Sequence, residues 1–239
     1  MVTTHGVVNY YESGEGSPLI LLHATPRSAL SFHKLIPHLG KFHRVIAPDT
    51  LGFGLSGPPP KSPSIDLLAD SIKQLLQKIG VKKCCAFGLH TGNKIAAALA
   101  AKAPKIVGKL IICGMTHSII PEKTARIAAI ENILLMKKAN NMKLSDQERV
   151  EREKGKHSEI ELYQANYAFD LSEELGKVLA PTLIIELTTP NEKHLGIQAH
   201  RLAEYCNTPS TAILEGSDRE FLEKKPEDLV HAILTFIQT

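Results

Sequence analysis

The sequence is short of the features that would assign it to several broad classes. It contains no apolar run of the ~18 residues or more that a membrane-spanning helix needs. Its N-terminus, Met1 to Gly16, lacks the basic, apolar, then small-residue order of a secretory signal. The four cysteines (Cys84, Cys85, Cys113 and Cys206) follow no metal or disulfide spacing. Adjacent cysteines in an apolar run fit small hydrophobes packed in a reducing compartment, so a cytoplasmic protein is expected. Internal repeats and low-complexity tracts are also missing. The formal net charge of +3 is too small to indicate nucleic acid. Positive charge is concentrated between Lys123 and Lys156, but Glu148, Glu151 and Glu153 interleave with it. Mixed signs at helical spacing read as a solvated helix face rather than an anion-binding patch.

What remains is an ordinary globular composition, 43% hydrophobic and 22% charged, with mean hydropathy near zero. At 239 residues the chain can form one large α/β domain. Short apolar runs alternate with longer amphipathic ones, the pattern of a mostly parallel sheet flanked by helices. Strands are expected at Val7–Tyr11, Leu19–Leu22, Arg44–Ala47, Lys83–Phe87, Val107–Cys113, Thr182–Leu187 and Thr211–Leu214. Helices are expected at Ala29–Leu39, Ile65–Ile79, Gly92–Ala103, His194–Tyr205 and Pro226–Ile237. Pro48–Pro60 reads as a Gly/Pro-rich loop. Between Thr116 and Ala168 no strand pattern occurs. One helical stretch there opens on a capping box, Ser145 to Glu148.

Gly88-Leu89-His90-Thr91-Gly92 joins a strand to a small-residue helix. That is the context of a nucleophile elbow, in which a sharp turn lifts its central residue above the sheet. Two other segments point the same way. Leu19 to Pro26 resembles the strand ending in His-Gly-x-Pro that builds the oxyanion hole of α/β-hydrolases, above all epoxide hydrolases and haloalkane dehalogenases. Arg44 to Ser56 resembles the strand and loop ending in Asp-x-x-Gly-x-Gly-x-Ser. Ala180 to Ile185 looks like the strand after the cap. The resemblance runs in order along nearly the whole chain. It implies an α/β-hydrolase fold in one domain, residues 1–239, with core 1–115 and 171–239 and a helical cap at about 116–170.

The residues that carry chemistry depart from that family. His90 stands at the elbow in place of serine, cysteine or aspartate. Pro190 lies about where the acid would be. The stretch Leu214 to Leu222 holds no histidine, and Arg219 is nearest to that position. Some members of the superfamily are similar in carrying a Gly-His-His-Thr-Gly elbow, which makes His90 a subgroup's design. The oxyanion donors implied by the resemblance are the backbone N–H groups of Thr25 and Thr91. The pocket would be bordered by His23, Pro26, His117, Glu186 and Arg219.

His90 suits a general base on water or a nucleophile, since imidazole titrates near neutrality; the plainer alternative is that it fills the pocket and contacts a ligand. His23, His90 and His117 could together hold zinc, but their spacing is no metal motif, and no metal is expected. Asp49 fits hydrogen bonding inside its own loop better than orienting a histidine. Glu186 fits an ion pair with a cap cation better than a base. The reading is hydrolysis of a small ester or related acyl substrate without an organic cofactor. The alternatives are an inactive homologue that binds a small ligand, or a lyase or isomerase using His90 as base. A small molecule is the expected partner, nucleic acid and membrane are not, and a homodimer through an edge strand or the cap is left open.

Overall fold

The computed structural model describes residues 1–114, 146, 149–150, 158–188 and 199–239. Strands β1 (Val2–Thr3) and β2 (Gly6–Val7) form a small antiparallel pair. The main sheet contains β3 (Tyr10–Ser13), β4 (Pro18–Leu22), β5 (Arg44–Pro48), β6 (Cys84–Leu89), β7 (Val107–Cys113), β8 (Thr182–Leu187) and β9 (Pro209–Leu214). Its order is β3-β5-β4-β6-β7-β8-β9. β3 is antiparallel to β5, and every other neighbouring pair is parallel. This is the mostly parallel, helix-flanked architecture expected from the sequence.

The inner strands of the sheet, β4 to β8, are buried on both faces, which is why they are largely continuous apolar runs. Successive side chains alternate sides. Ile20, Leu22, Ile46, Ala86, Leu110 and Ile112 enter one core. Leu19, Leu21, Val45, Phe87 and Ile111 enter the other. The first core is covered by helices α2 (Ile65–Lys78) and α3 (Thr91–Lys102). Ser64 caps α2 by accepting from the Leu67 N–H, and Gly80 ends the segment at φ +77°. The alanines of α3 let it lie deep against the sheet, with Ile95 to Ala100 at most 1% exposed.

The second core is covered by a 3-10 turn at Ala29–Phe32, helix α1 (Leu35–Leu39) and the C-terminal helix (Pro226–Gln238). The sequence suggested one helix over Ala29–Leu39. Pro37 explains the division, because its ring clashes with the carbonyl four residues back and is tolerated only in a first turn. Helices α4 (Glu159–Ala168), α5 (Leu171–Leu175), α6 (Ala199–Ala203) and α7 (Asp218–Glu223) complete the described elements, the C-terminal helix being α8.

Most of the expected cap, including His117, Ser145 and most of the mixed-charge stretch, lies outside the described residues, as do Pro190 and the first part of the helix expected at His194–Tyr205. Within that stretch Asp146 and Arg149 form an exposed pair at 3.8 Å. All four cysteines are free thiols, three of them buried. Among the described residues no helix is long and apolar enough to cross a membrane.

Because β4 is flanked by β5 on one side and β6 on the other, the chain reverses its winding direction there. Open α/β sheets bind ligands at such a point, beyond the C-terminal strand ends. His23 follows β4, His90 follows β6, Gly114 follows β7, and Ser217 and Asp218 lie just beyond β9.

Candidate active site

His90 has φ +50° and ψ −108°, a backbone conformation in which non-glycine residues are strained. The surroundings hold it there. Its N–H donates to the Cys113 carbonyl at 3.0 Å, and its carbonyl accepts from the Asn93 N–H at 3.0 Å. A Cβ on Gly88 would collide with the Gly92 carbonyl, and one on Gly92 would collide with the Leu22 carbonyl. Both flanking glycines are therefore required by close backbone approach. The sharp turn thus lifts the imidazole clear of the sheet, with its side chain 32% exposed.

Asn93, one turn into α3 and fully buried, ties the elbow to the end of β7. Its amide nitrogen donates to the carbonyls of Cys113 (3.0 Å) and Gly114 (2.7 Å), and its amide oxygen accepts from the Cys113 N–H (2.8 Å). Gly114 then lies beneath the imidazole: a Cβ there would stand 2.7 Å from His90 Cε1.

One partner of His90 is a residue that the sequence alone did not mark. Asp218 Oδ2 lies 3.4 Å from His90 Nε2. Its other oxygen, Oδ1, accepts the Arg219 backbone N–H at 2.7 Å. Asp218 opens α7, whose N-cap Ser217 accepts from the Glu220 N–H at 3.2 Å. The carboxylate is thus oriented from its own turn. Burial pushes the Asp218 carboxyl up, but the His90 contact and charge, the Arg219 N–H and the nearby Arg27 guanidinium more than offset this and hold it at about 2. A carboxylate depressed from 3.8 to about 2 contributes stability that is complete above pH ~4 and is lost as pH falls through 2. Asp70, held near 2 beside His5, Gln74 and Lys73, titrates in the same window. Asp218→Asn should therefore lose only part of the wild-type decline in urea midpoint between pH 4 and 2; an unchanged decline would mean that the His90 contact carries no such linkage.

Arg219, the residue expected nearest this position, sends its guanidinium to Glu223 (Nε to Oε2, 3.3 Å) with its side chain 43% exposed. Its contribution at Asp218 is its backbone N–H.

His23 and Thr91 brace the loop after β4. His23 is 1% exposed; its Nδ1 lies 2.9 Å from the Ala24 carbonyl and its Nε2 accepts the Thr50 N–H at 2.8 Å. Those partners assign the Nδ1–H tautomer and occupy both ring nitrogens. His23 therefore braces the loop and has no lone pair left for a metal. Among the described residues no group of three metal-ligating side chains converges. Pro26 is buried after a cis Thr25–Pro26 bond. The Thr25 N–H reaches Thr91 Oγ1 at 3.4 Å, which sets that donor beside the first residue of α3. Helix α4 closes over the loop. Tyr163 donates to the Thr25 carbonyl (3.1 Å) and Lys94 to the Asn166 carbonyl (2.6 Å).

Asp49 accepts from the Leu55 N–H of its own loop and from the Ala29 N–H and Asn9 Nδ2 outside it, at 2.8–2.9 Å. Glu186 accepts the Ala199 N–H at 2.9 Å, at the start of α6.

Residues 17–140 match the family model described as alpha/beta hydrolase fold. The chain is 33% identical over 110 residues to 2-hydroxymuconate semialdehyde hydrolase of Pseudomonas sp. (strain CF600), covering 44% of this chain and 39% of that one. It is 31% identical over 113 residues to soluble epoxide hydrolase of Corynebacterium sp. (strain C12), covering 47% and 40%. The chain thus spans about two fifths of the length of these curated relatives. A thermophilic esterase from Thermogutta terrifontis superposes over 97% of this chain and 93% of its own with a TM-score of 0.76 at 21% identity, a likeness of fold.

Proposed function

The chain belongs to the alpha/beta hydrolase fold family, and from that premise we propose that it hydrolyses a small ester or related acyl substrate with a histidine–aspartate pair whose positions are exchanged relative to the family pattern. The observation that carries this reading is the strained His90 facing Asp218 at 3.4 Å. In the family an acid-supported histidine comes from the loop after the last strand and serves the elbow residue. Here the histidine is the elbow residue and the acid comes from that loop.

Nε2–H directed at Asp218 leaves Nδ1 as the basic nitrogen. His90 removes a proton from water, and the water oxygen attacks the acyl carbon. The carbonyl electron pair moves to oxygen, where the Thr25 and Thr91 N–H groups receive it, a contribution of about 10²–10³ in rate for such donors. Collapse expels the alkoxide, which takes the proton from the imidazolium. Asp218 stabilises that imidazolium and fixes the ring. It is a positioning residue and takes no proton. The reading treats residues 1–239 as one domain with its cap, about 116–170, closing a small-molecule pocket. The docking of α4 on Thr25 and Lys94 supports this. No organic cofactor is invoked.

Asp218→Asn tests the pair. We expect kcat for a short-chain ester to fall about 10–10²-fold with KM little changed. The loss is smaller than the ~10⁴-fold seen for a buried triad acid because Asp218 is 34% exposed. In a His90→Ala background the same substitution should cost nothing further. Equal losses in both backgrounds would sink the pairing.

A further inference from the structure

The edge of the sheet opposite His90 has its own cleft. The N-terminal ends of β4, β6 and β7 line an open cleft of about 250 Å3, bordered by Pro18, His43, Lys83, Cys84, Lys109 and Ile237 among others, with no acidic side chain in the lining. At ~30 Å3 per water, that is space for roughly eight waters or one small organic molecule.

The charge there is one-sided. Lys83 rests its stem on Gly108, and its ammonium has no hydrogen bond or ion pair among the described residues. Lys109 Nζ is anchored to the carbonyls of Phe236 (2.9 Å) and Ile237 (3.0 Å), which uses two of its three N–H donors. His43 is 9% exposed and hydrogen-bonds the Ser17 carbonyl through Nδ1 (3.2 Å), leaving Nε2 without a partner among the described residues. Apart from Ser17, the rest of the wall is apolar. Burial pushes the Cys84 thiol up to about 12 and the Cys85 thiol higher still, so both stay uncharged at neutral pH.

Two cations beside a largely apolar wall without a carboxylate define an amphipathic anion site. We propose that this cleft is a second binding site, for a small organic carboxylate with a short apolar tail, its charge met by Lys83 and Lys109 and its tail by Pro18, Cys84, Cys85 and Ile237. The inference is independent of ester hydrolysis at His90, although an acid product of that reaction would share the ligand's chemistry.

Titrating 15N-labelled protein with hexanoate separates the two sites. The expected result is saturable amide shifts at Cys84, Cys85, Gly108 and Lys109, persisting in His90→Ala. Lys83→Met, at an exposed position, should weaken binding on the order of tenfold. Inorganic phosphate and hexanol, each carrying half of the chemistry, should bind at least about tenfold more weakly than hexanoate. Shifts confined to His90, Gly114 and their neighbours would overturn the proposal by placing the acid at the elbow. Undiminished affinity in Lys83→Met, equal binding of phosphate, or no shift at millimolar hexanoate would each overturn it as well.

Discussion

Asn93→Leu is expected to destabilise the protein by about 2–6 kcal/mol. The side chain is fully buried and makes three hydrogen bonds to the backbone of Cys113 and Gly114. Leucine has nearly the same volume, so the cost comes from polar groups rather than from a cavity. The Cys113 N–H loses its acceptor and the Gly114 carbonyl its side-chain donor, while the Cys113 carbonyl keeps the His90 N–H. A stranded buried polar group costs about 1–3 kcal/mol, which gives the range stated. For a domain of this size that lowers Tm by on the order of 10 °C. Urea unfolding of both proteins checks it. A loss under ~1 kcal/mol would mean that the elbow does not depend on Asn93. Because Asn93 also fixes Gly114 under the imidazole, the variant that still folds should show a looser His90 ring.

The sheet was legible in the sequence because its strands are short apolar runs between Gly, Pro and polar residues. Val107–Cys113 and Thr182–Leu187 have the expected bounds. The elbow was legible because Gly88 and Gly92 mark a close backbone approach at a fixed spacing. The split of Ala29–Leu39 was missed because an apolar periodicity continues across Pro37 and hides a steric stop. Asp218 was missed because its role depends on a contact between residues far apart in sequence. Searching that loop for a histidine, or for a cation in its place, led to Arg219. Yet adjacent residues on a helix point about 100° apart, and it is Asp218 that faces His90. The available signal was a Ser-Asp helix start, Ser217-Asp218, after the last strand, with an imidazole already expected at the same C-terminal edge of the sheet. Asn93 left no trace, since one polar residue among alanines reads as a helix start.

The other large effect concerns His90 itself. General base catalysis contributes typically 10²–10⁴-fold, so removing the imidazole should cost that much of the chemical step. Its Asp218 carboxylate and strained backbone are the observations that set His90 apart from a residue that only fills space. Free imidazole also cleaves activated esters, and this sets the background to beat. The most direct test is turnover of short-chain nitrophenyl esters by the wild type and by His90→Ala, beside free imidazole at equal concentration. The account predicts a saturable wild-type rate well above imidazole that falls at least ~10²-fold in His90→Ala. A wild-type rate no better than imidazole, or one that survives His90→Ala, would contradict it.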